Sequence, residues 1–138
     1  MDKTWKAEWI AWLRDPAHQQ VRGVLKMGNA YCCLGGACEI SGLSSFEPIG
    51  DGSRERRGWR TSDAYLDRVD ILPVEVAELF SLPTTSPCVR LADLTPKTRR
   101  AVRSFIPGCV APKFVWLVSL NDHGAPFSLI ADVIEQGL

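Results

Sequence analysis

Five cysteines, two histidines and two groups of arginines are the residues of this 138-residue chain with the most chemistry to offer. Cys32 and Cys33 stand just ahead of an apolar stretch with helical spacing, Cys32 to Ile40. A thiol at a helix start meets the positive end of the helix dipole, which lowers its pKa and favours the nucleophilic thiolate. A cysteine hydrolase also needs a histidine base and a group that orients it. His18 and His123 are the two histidines, and His123 lies beside Asp122 in a turn, where its ring is expected in solvent. The commoner fate of such thiols is burial as small hydrophobes, and that is the expectation here, with the hydrolase as an alternative. Cys33 and Cys38 are five residues apart and no Cys-x-x-Cys pair exists. Structural zinc sites usually show two close ligand pairs, so neither metal nor cofactor is expected. An odd cysteine count fits reduced thiols in a cytoplasm better than a disulfide framework.

The arginines suggest binding. Arg54, Arg56, Arg57 and Arg60 surround Trp59 at the end of a loop-like stretch, Ser44 to Arg60, that includes Gly50-Asp51-Gly52. Arginine forks match carboxylates and phosphates, and a tryptophan among them can anchor a protein interface or stack on a base. Trp59 with Arg56, Arg57 and Arg60 is therefore the first candidate surface. The second is Lys97, Arg100 and Arg103, which share the exposed face of a helix with Arg99. Lysine plus arginine and aspartate plus glutamate each total 16. That balance argues against a nucleic-acid binder acting through overall charge; a local patch is what remains for an anionic protein or a small nucleotide. Gly35-Gly36 and Gly50-Asp51-Gly52 match neither the P-loop nor the dinucleotide fingerprint, and no pair of acids sits in a context that marks acid–base chemistry.

The elements that must position these residues are mostly short helices. Trp5, Trp9, Trp12 and Leu13 form one apolar stripe over Thr4 to Arg14, with Thr4 as the expected N-cap and Asp15-Pro16 as the stop. Val21 to Tyr31 reads as a hairpin turning at Gly28-Asn29. Paired Gly35-Gly36 inside the next helix signal a close backbone approach, and Gly42 is its C-cap. Pro73 to Phe80 reads as a helix, Val89 to Leu91 as an edge strand, and Thr95-Pro96 to Phe105 as a helix with Thr95 as cap. Phe114 to Leu120 is apolar and too short for periodicity to separate helix from buried strand. Asn121 to Gly124 reads as a turn held by its own Asn121 and Asp122 side chains, followed by an amphipathic helix over Pro126 to Gln136. The expectation is a single α+β domain over residues 1–138, mostly short helices with one small β-hairpin. Charges interrupt the N-terminal residues and the apolar run Phe114 to Val118 is far below membrane-spanning length, so a soluble cytoplasmic protein is expected.

Two blocks of sequence carry a resemblance. Tyr31-Cys32-Cys33-Leu34-Gly35-Gly36-Ala37-Cys38 is followed far downstream by Leu120-Asn121-Asp122-His123-Gly124-Ala125-Pro126-Phe127 and Ile130-Ala131-Asp132-Val133-Ile134-Glu135. The pattern resembles a family of small phage- and prophage-encoded proteins with no assigned activity. Their marks are a Trp-rich N-terminal helix, a Cys-Cys-Leu-Gly-x-x-Cys block and a closing Leu-Asn-Asp-x-Gly-x-x-Phe-x-x-Ile-Ala-Asp helix. The resemblance implies a viral accessory protein in a bacterial cytoplasm, of the kind that counters host defence. The expected role is a non-enzymatic binding protein that engages a host protein or ribonucleoprotein by surface occlusion. A sponge for a small anionic nucleotide is a second alternative. The phrase from Asn121 to Ala131 also resembles the entry to a helix-turn-helix, but no recognition helix follows before Leu138. Sequence-specific DNA reading is accordingly not expected.

Overall fold

The computed structural model describes residues 1–49, 62–106 and 113–138. Six α-helices and seven very short strands are present among them, an α+β domain. Helix α1 spans Lys3–Arg14 and buries Trp9, Trp12 and Leu13. Its cap is Asp2 rather than Thr4: the Asp2 carboxylate accepts from the Thr4 and Trp5 N–H groups at 2.9 and 3.1 Å. A carboxylate at this position also meets the positive helix end, an advantage a threonine hydroxyl lacks.

The expected hairpin is present as β2 (Lys26–Met27) and β3 (Ala30–Tyr31), with Gly28 at φ +60° in the turn. It is the centre of a larger sheet. β1 (Gln19–Gln20) pairs parallel to β3, while β5 (Asp63–Ala64) pairs antiparallel to β2 and β4 (Glu47–Pro48) antiparallel to β5. Two-residue strands have no readable alternation, so the outer strands left no pattern in the sequence. Helix α2 (Cys33–Ser41) follows β3 and ends on Gly42 at φ +64°. Helix α3 is Val74–Leu79, with Pro73 at the cap position.

The C-terminal half builds a second unit on the same core. β6 (Cys88–Arg90) leads through a 3₁₀ turn, Leu91–Asp93, into helix α4 (Pro96–Phe105), capped by Thr95 as expected. The ambiguous Phe114 to Leu120 segment is both things in turn. It is strand β7 over Phe114–Trp116, then helix α5 over Leu117–Asp122. β7 pairs antiparallel to β6, with Val89 opposite Val115 and Arg90 opposite Phe114. Asn121 and Asp122 therefore close a helix rather than fill a turn. Helix α6 (Phe127–Gly137) packs along α1 and also touches α4 and β6.

One apolar core joins the two parts. Trp9 packs edge-on against Phe80 with ring centres 5.9 Å apart, and its indole N–H donates to the Cys33 carbonyl at 2.9 Å. Trp12 is stacked on His18 at 3.9 Å and packed against Phe127. The tryptophan stripe is thus mainly core; Trp5 alone stays half-buried, stacked on Phe80 at 5.0 Å. Burial of large apolar side chains, roughly 1.5–3 kcal/mol each, is the main favourable contribution to such a fold.

Candidate functional site

The start of α2 is closed. Cys32, Cys33 and Cys38 are all essentially inaccessible to solvent. The Cys32 thiol serves as the helix cap, accepting from the Gly35 N–H at 3.3 Å. The Cys33 thiol points to the Leu117 carbonyl at 3.5 Å. Burial pushes the Cys32 thiol up to about 11 and moves Cys33 and Cys38 upward as well. The helix end lowers a thiol pKa, but desolvation is the larger effect here and opposes it. Neither histidine serves these thiols. His18 Nδ1 meets the Trp12 carbonyl at 2.8 Å, and the exposed His123 meets the Ser119 carbonyl at 2.7 Å. The arrangement suits a packed helix start, not an attacking thiolate.

An alkaline weakness follows from these thiols. Each stays protonated in the fold above the pH, about 8.5, at which an unfolded thiol ionises. The unfolded chain then binds fewer protons, so stability falls as pH rises. The slope approaches about 1.4 kcal/mol per pH unit for each thiol, or about 4 for three. Urea unfolding at pH 7, 9 and 10 is expected to show this decline, and the Cys38→Ala variant a shallower one. A pH-independent midpoint across that range contradicts the closed thiol core.

Asn121 explains how the closed end is held. Its side chain is fully buried. The amide oxygen accepts from the Cys33 N–H at 3.1 Å and from Gln20 Nε2 at 2.9 Å. The amide nitrogen donates to the Val21 carbonyl at 2.8 Å and to Asp122 at 3.3 Å. Asp122 in turn accepts from the Gly23 N–H at 2.9 Å. The two sequence blocks thus meet in space: the downstream Asn121 caps the helix of the upstream cysteine block, while Asp122 holds Gly23. These side chains do bind backbone, but that of a distant segment rather than their own turn.

A second candidate lies elsewhere. A cleft of about 560 Å³ runs between α4, the 3₁₀ turn and the β6–β7 ribbon, lined by Arg90, Arg99, Arg103, Lys113 and Phe114 with Leu91 and Ala92. Several contacts fix its walls. Gln136 of α6 accepts from the Thr95 N–H and donates to Thr98, both at 2.9 Å, which ties α4 down. Gly137 lies so close to Val89 that no side chain fits between α6 and β6. Val89 and Val115 point into the core, so their strand neighbours point out. Phe114 and Trp116 consequently share the outer face of β7, 42% and 48% exposed.

The cations of the cleft differ in freedom. Arg99 is a fixed one, half-buried and held in place rather than fully exposed as the helix pattern suggests. Its Nε donates to the Leu91 carbonyl at 2.9 Å and its Nη2 to the Leu94 and Ala92 carbonyls at 3.0 and 3.4 Å. A guanidinium has five N–H donors, so both on Nη1 lack a partner among the described residues. Arg90 holds Asp93 through two bonds at 3.0 and 3.2 Å. Arg103 and Lys113 are exposed and form no ion pair among the described residues.

Of the second sequence-derived surface, Arg103 lines this cleft, while Lys97 and Arg100 are exposed on α4 outside its lining. The first, Trp59 with Arg56, Arg57 and Arg60, lies outside the described residues, as does Arg54. Phe114, Trp116 and Lys113 were not singled out from sequence. The alternation Phe-Val-Trp after a lysine was the available signal, but it sits inside an apolar run that reads equally well as buried. Another groove, of about 550 Å³, runs along α1 over Ala7, Ile10 and Ala11. Its Arg14 already pairs with Asp132 and Glu135 at 2.7 and 2.9 Å.

The fold and the site together define a small α+β domain with a sealed thiol core and an open, cationic cleft lined by Phe114, with Trp116 exposed further along the same strand face. The chain belongs to the family described as a domain of unknown function (DUF8296), whose model matches residues 1–138. No curated protein and no solved structure matches it. Among the described residues no helix is long and apolar enough to cross a membrane.

Proposed function

We propose that this protein is a non-enzymatic accessory binding protein of the phage type. It acts in the bacterial cytoplasm and inhibits a host defence component by covering part of its surface. The docking face is the α4 and β6–β7 cleft with its aromatic edge. The observation that carries this reading is the exposed Phe114 ring in the cleft with Arg103 and Lys113, which form no ion pair among the described residues, and Trp116 exposed further along the same face of β7. Exposed aromatic and arginine side chains gathered in one patch are the usual anchors of an interface. The phage and defence elements rest on the sequence resemblance, and the docking face rests on the geometry.

Native mass spectrometry of tagged protein recovered from a bacterial lysate tests it, with the double variant Arg103→Glu, Trp116→Ala as the comparison. The parent is expected to carry a specific additional mass that the variant loses, although the variant keeps the parent's circular dichroism. Both changed residues are exposed, so the fold has little reason to respond. Recovery of the bare chain, or the same masses on parent and variant, overturns the assignment of the surface.

A further inference from the structure

We infer that this face recognises single-stranded nucleic acid, so that the partner, on the binding reading just given, is met through an exposed strand. Bases stack on Phe114 and Trp116, and phosphates lie in the cleft against Arg99, Arg103 and Lys113. The rings project from the same face of β7 with one residue between them. Strand geometry spaces them by about 7 Å, twice the roughly 3.4 Å rise of stacked nucleotides along a duplex strand. Neighbouring bases that each occupy a ring must therefore be unstacked from one another, which a single strand permits and a duplex does not.

The charges fit the same ligand. Among the described residues no carboxylate lines the cleft, and Asp93, which follows the lining residues Leu91 and Ala92, is held by Arg90. Arg99 is pinned by three carbonyls with its Nη1 donors unengaged among the described residues, so it meets a phosphate without first losing side-chain freedom. Arg103 and Lys113 bring two further cations from separate elements. An acidic peptide satisfies these cations but gives the two ring faces nothing flat to stack on. A nucleotide chain satisfies both. The zero net charge of the chain weakens long-range attraction to any nucleic acid but leaves the local patch intact.

Fluorescence anisotropy on the full-length protein tests the inference. The probes are a labelled oligo-uridine of about twelve nucleotides, long enough for one such site, a duplex of equal length, a uridine mononucleotide and a glutamate-rich peptide. The single strand is expected to bind more tightly than the duplex and the other probes. Trp116→Ala and Phe114→Ala are each expected to weaken it about tenfold, the usual scale of one base–aromatic stack. Three phosphate contacts predict a slope of log affinity against log salt of about −2, reduced by about 0.7 in Arg103→Ala. Absence of strand binding, or strand binding unchanged in the ring variants, overturns the inference. A mononucleotide bound as tightly as the strand also overturns it, in favour of capture of a small nucleotide. If the glutamate-rich peptide binds instead and Arg103→Ala abolishes that, the nucleic-acid inference falls while the binding reading stands. If no probe binds and the lysate yields no variant-sensitive mass, both fall.

Discussion

Replacing Asn121 by leucine is expected to destabilise the fold by about 3–5 kcal/mol. The leucine fills a similar volume, so the effect isolates lost polar pairing. The Cys33 N–H and the Val21 carbonyl are left without their partner inside the protein, and Gln20 loses one of its acceptors. An unsatisfied buried group costs roughly 1–3 kcal/mol, and two are created together, since Gln20 is exposed and keeps the Ala125 carbonyl. Against a total stability of roughly 5–15 kcal/mol this is a large fraction, and the melting temperature should fall by about 10–20 °C. Asn121→Asp is a sharper version. It puts a carboxylate oxygen against the Val21 carbonyl and beside the Asp122 carboxylate. Burial and that neighbour raise the pKa of the introduced carboxyl above its unfolded value of about 3.9. Its protonated form is then the tolerated one in the fold. Stability is retained below the unfolded pKa and lost as pH rises through the folded value. Urea unfolding of Asn121→Asp should accordingly improve from pH 7 toward pH 4 relative to Asn121→Leu. A leucine variant within about 1 kcal/mol of the parent would mean that Asn121 is not the joint between the two halves.

That joint shows which parts of the molecule the sequence carried in readable form. Long, strongly periodic segments were legible: the tryptophan stripe of α1, the Thr95-Pro96 start of α4 and the apolar face of α6 all appear where their patterns put them. Each reports on one helix and one face, and spacing encodes that directly. Asn121 belongs to a different kind of information. Its partners other than Asp122 lie 88 to 101 residues away, and an asparagine before an aspartate and a glycine looks like an ordinary turn. Arg99 is similar. Its helix position says exposed, and only the return of the 3₁₀ turn beneath α4 supplies the three carbonyls that fix it. The aromatic edge was hidden for a related reason. Val115 faces inward only because β6 lies beside it with Val89 on the same face. Until that pairing exists, Phe-Val-Trp is simply apolar.

The paired glycines are the case where a local signal foretold a distant contact, and they give the second large effect. Gly35→Ala is expected to destabilise the protein by about 3 kcal/mol or more, despite the better helix propensity of alanine, worth about 1 kcal/mol in the opposite direction. A methyl group at Gly35 would overlap the Leu25 carbonyl oxygen and lie 2.8 Å from its carbon. This neighbour is backbone and cannot swing aside. Leu25 is held on both sides, its N–H donating to Val69 at 2.6 Å and its carbonyl accepting from Cys32 at 3.0 Å. Relief therefore requires α2 to lift from the segment leading into the hairpin, which opens the same closed helix start that Asn121 caps. Gly36→Ala presses on the Trp12 ring, with its Cη2 2.9 Å from the new methyl. That ring is stacked on His18 and packed against Tyr31 and Phe127, so it yields little, and a cost of about 1–3 kcal/mol is expected. Gly42→Ala meets nothing within 4 Å and suffers only from φ at +64°, a penalty of about 1 kcal/mol. Chemical denaturation of the three variants should rank them Gly35, Gly36, Gly42 from most to least damaging. A Gly35→Ala protein as stable as the parent would show that α2 and Leu25 do not approach so closely, and would remove the reason for a glycine at this point of the cysteine block.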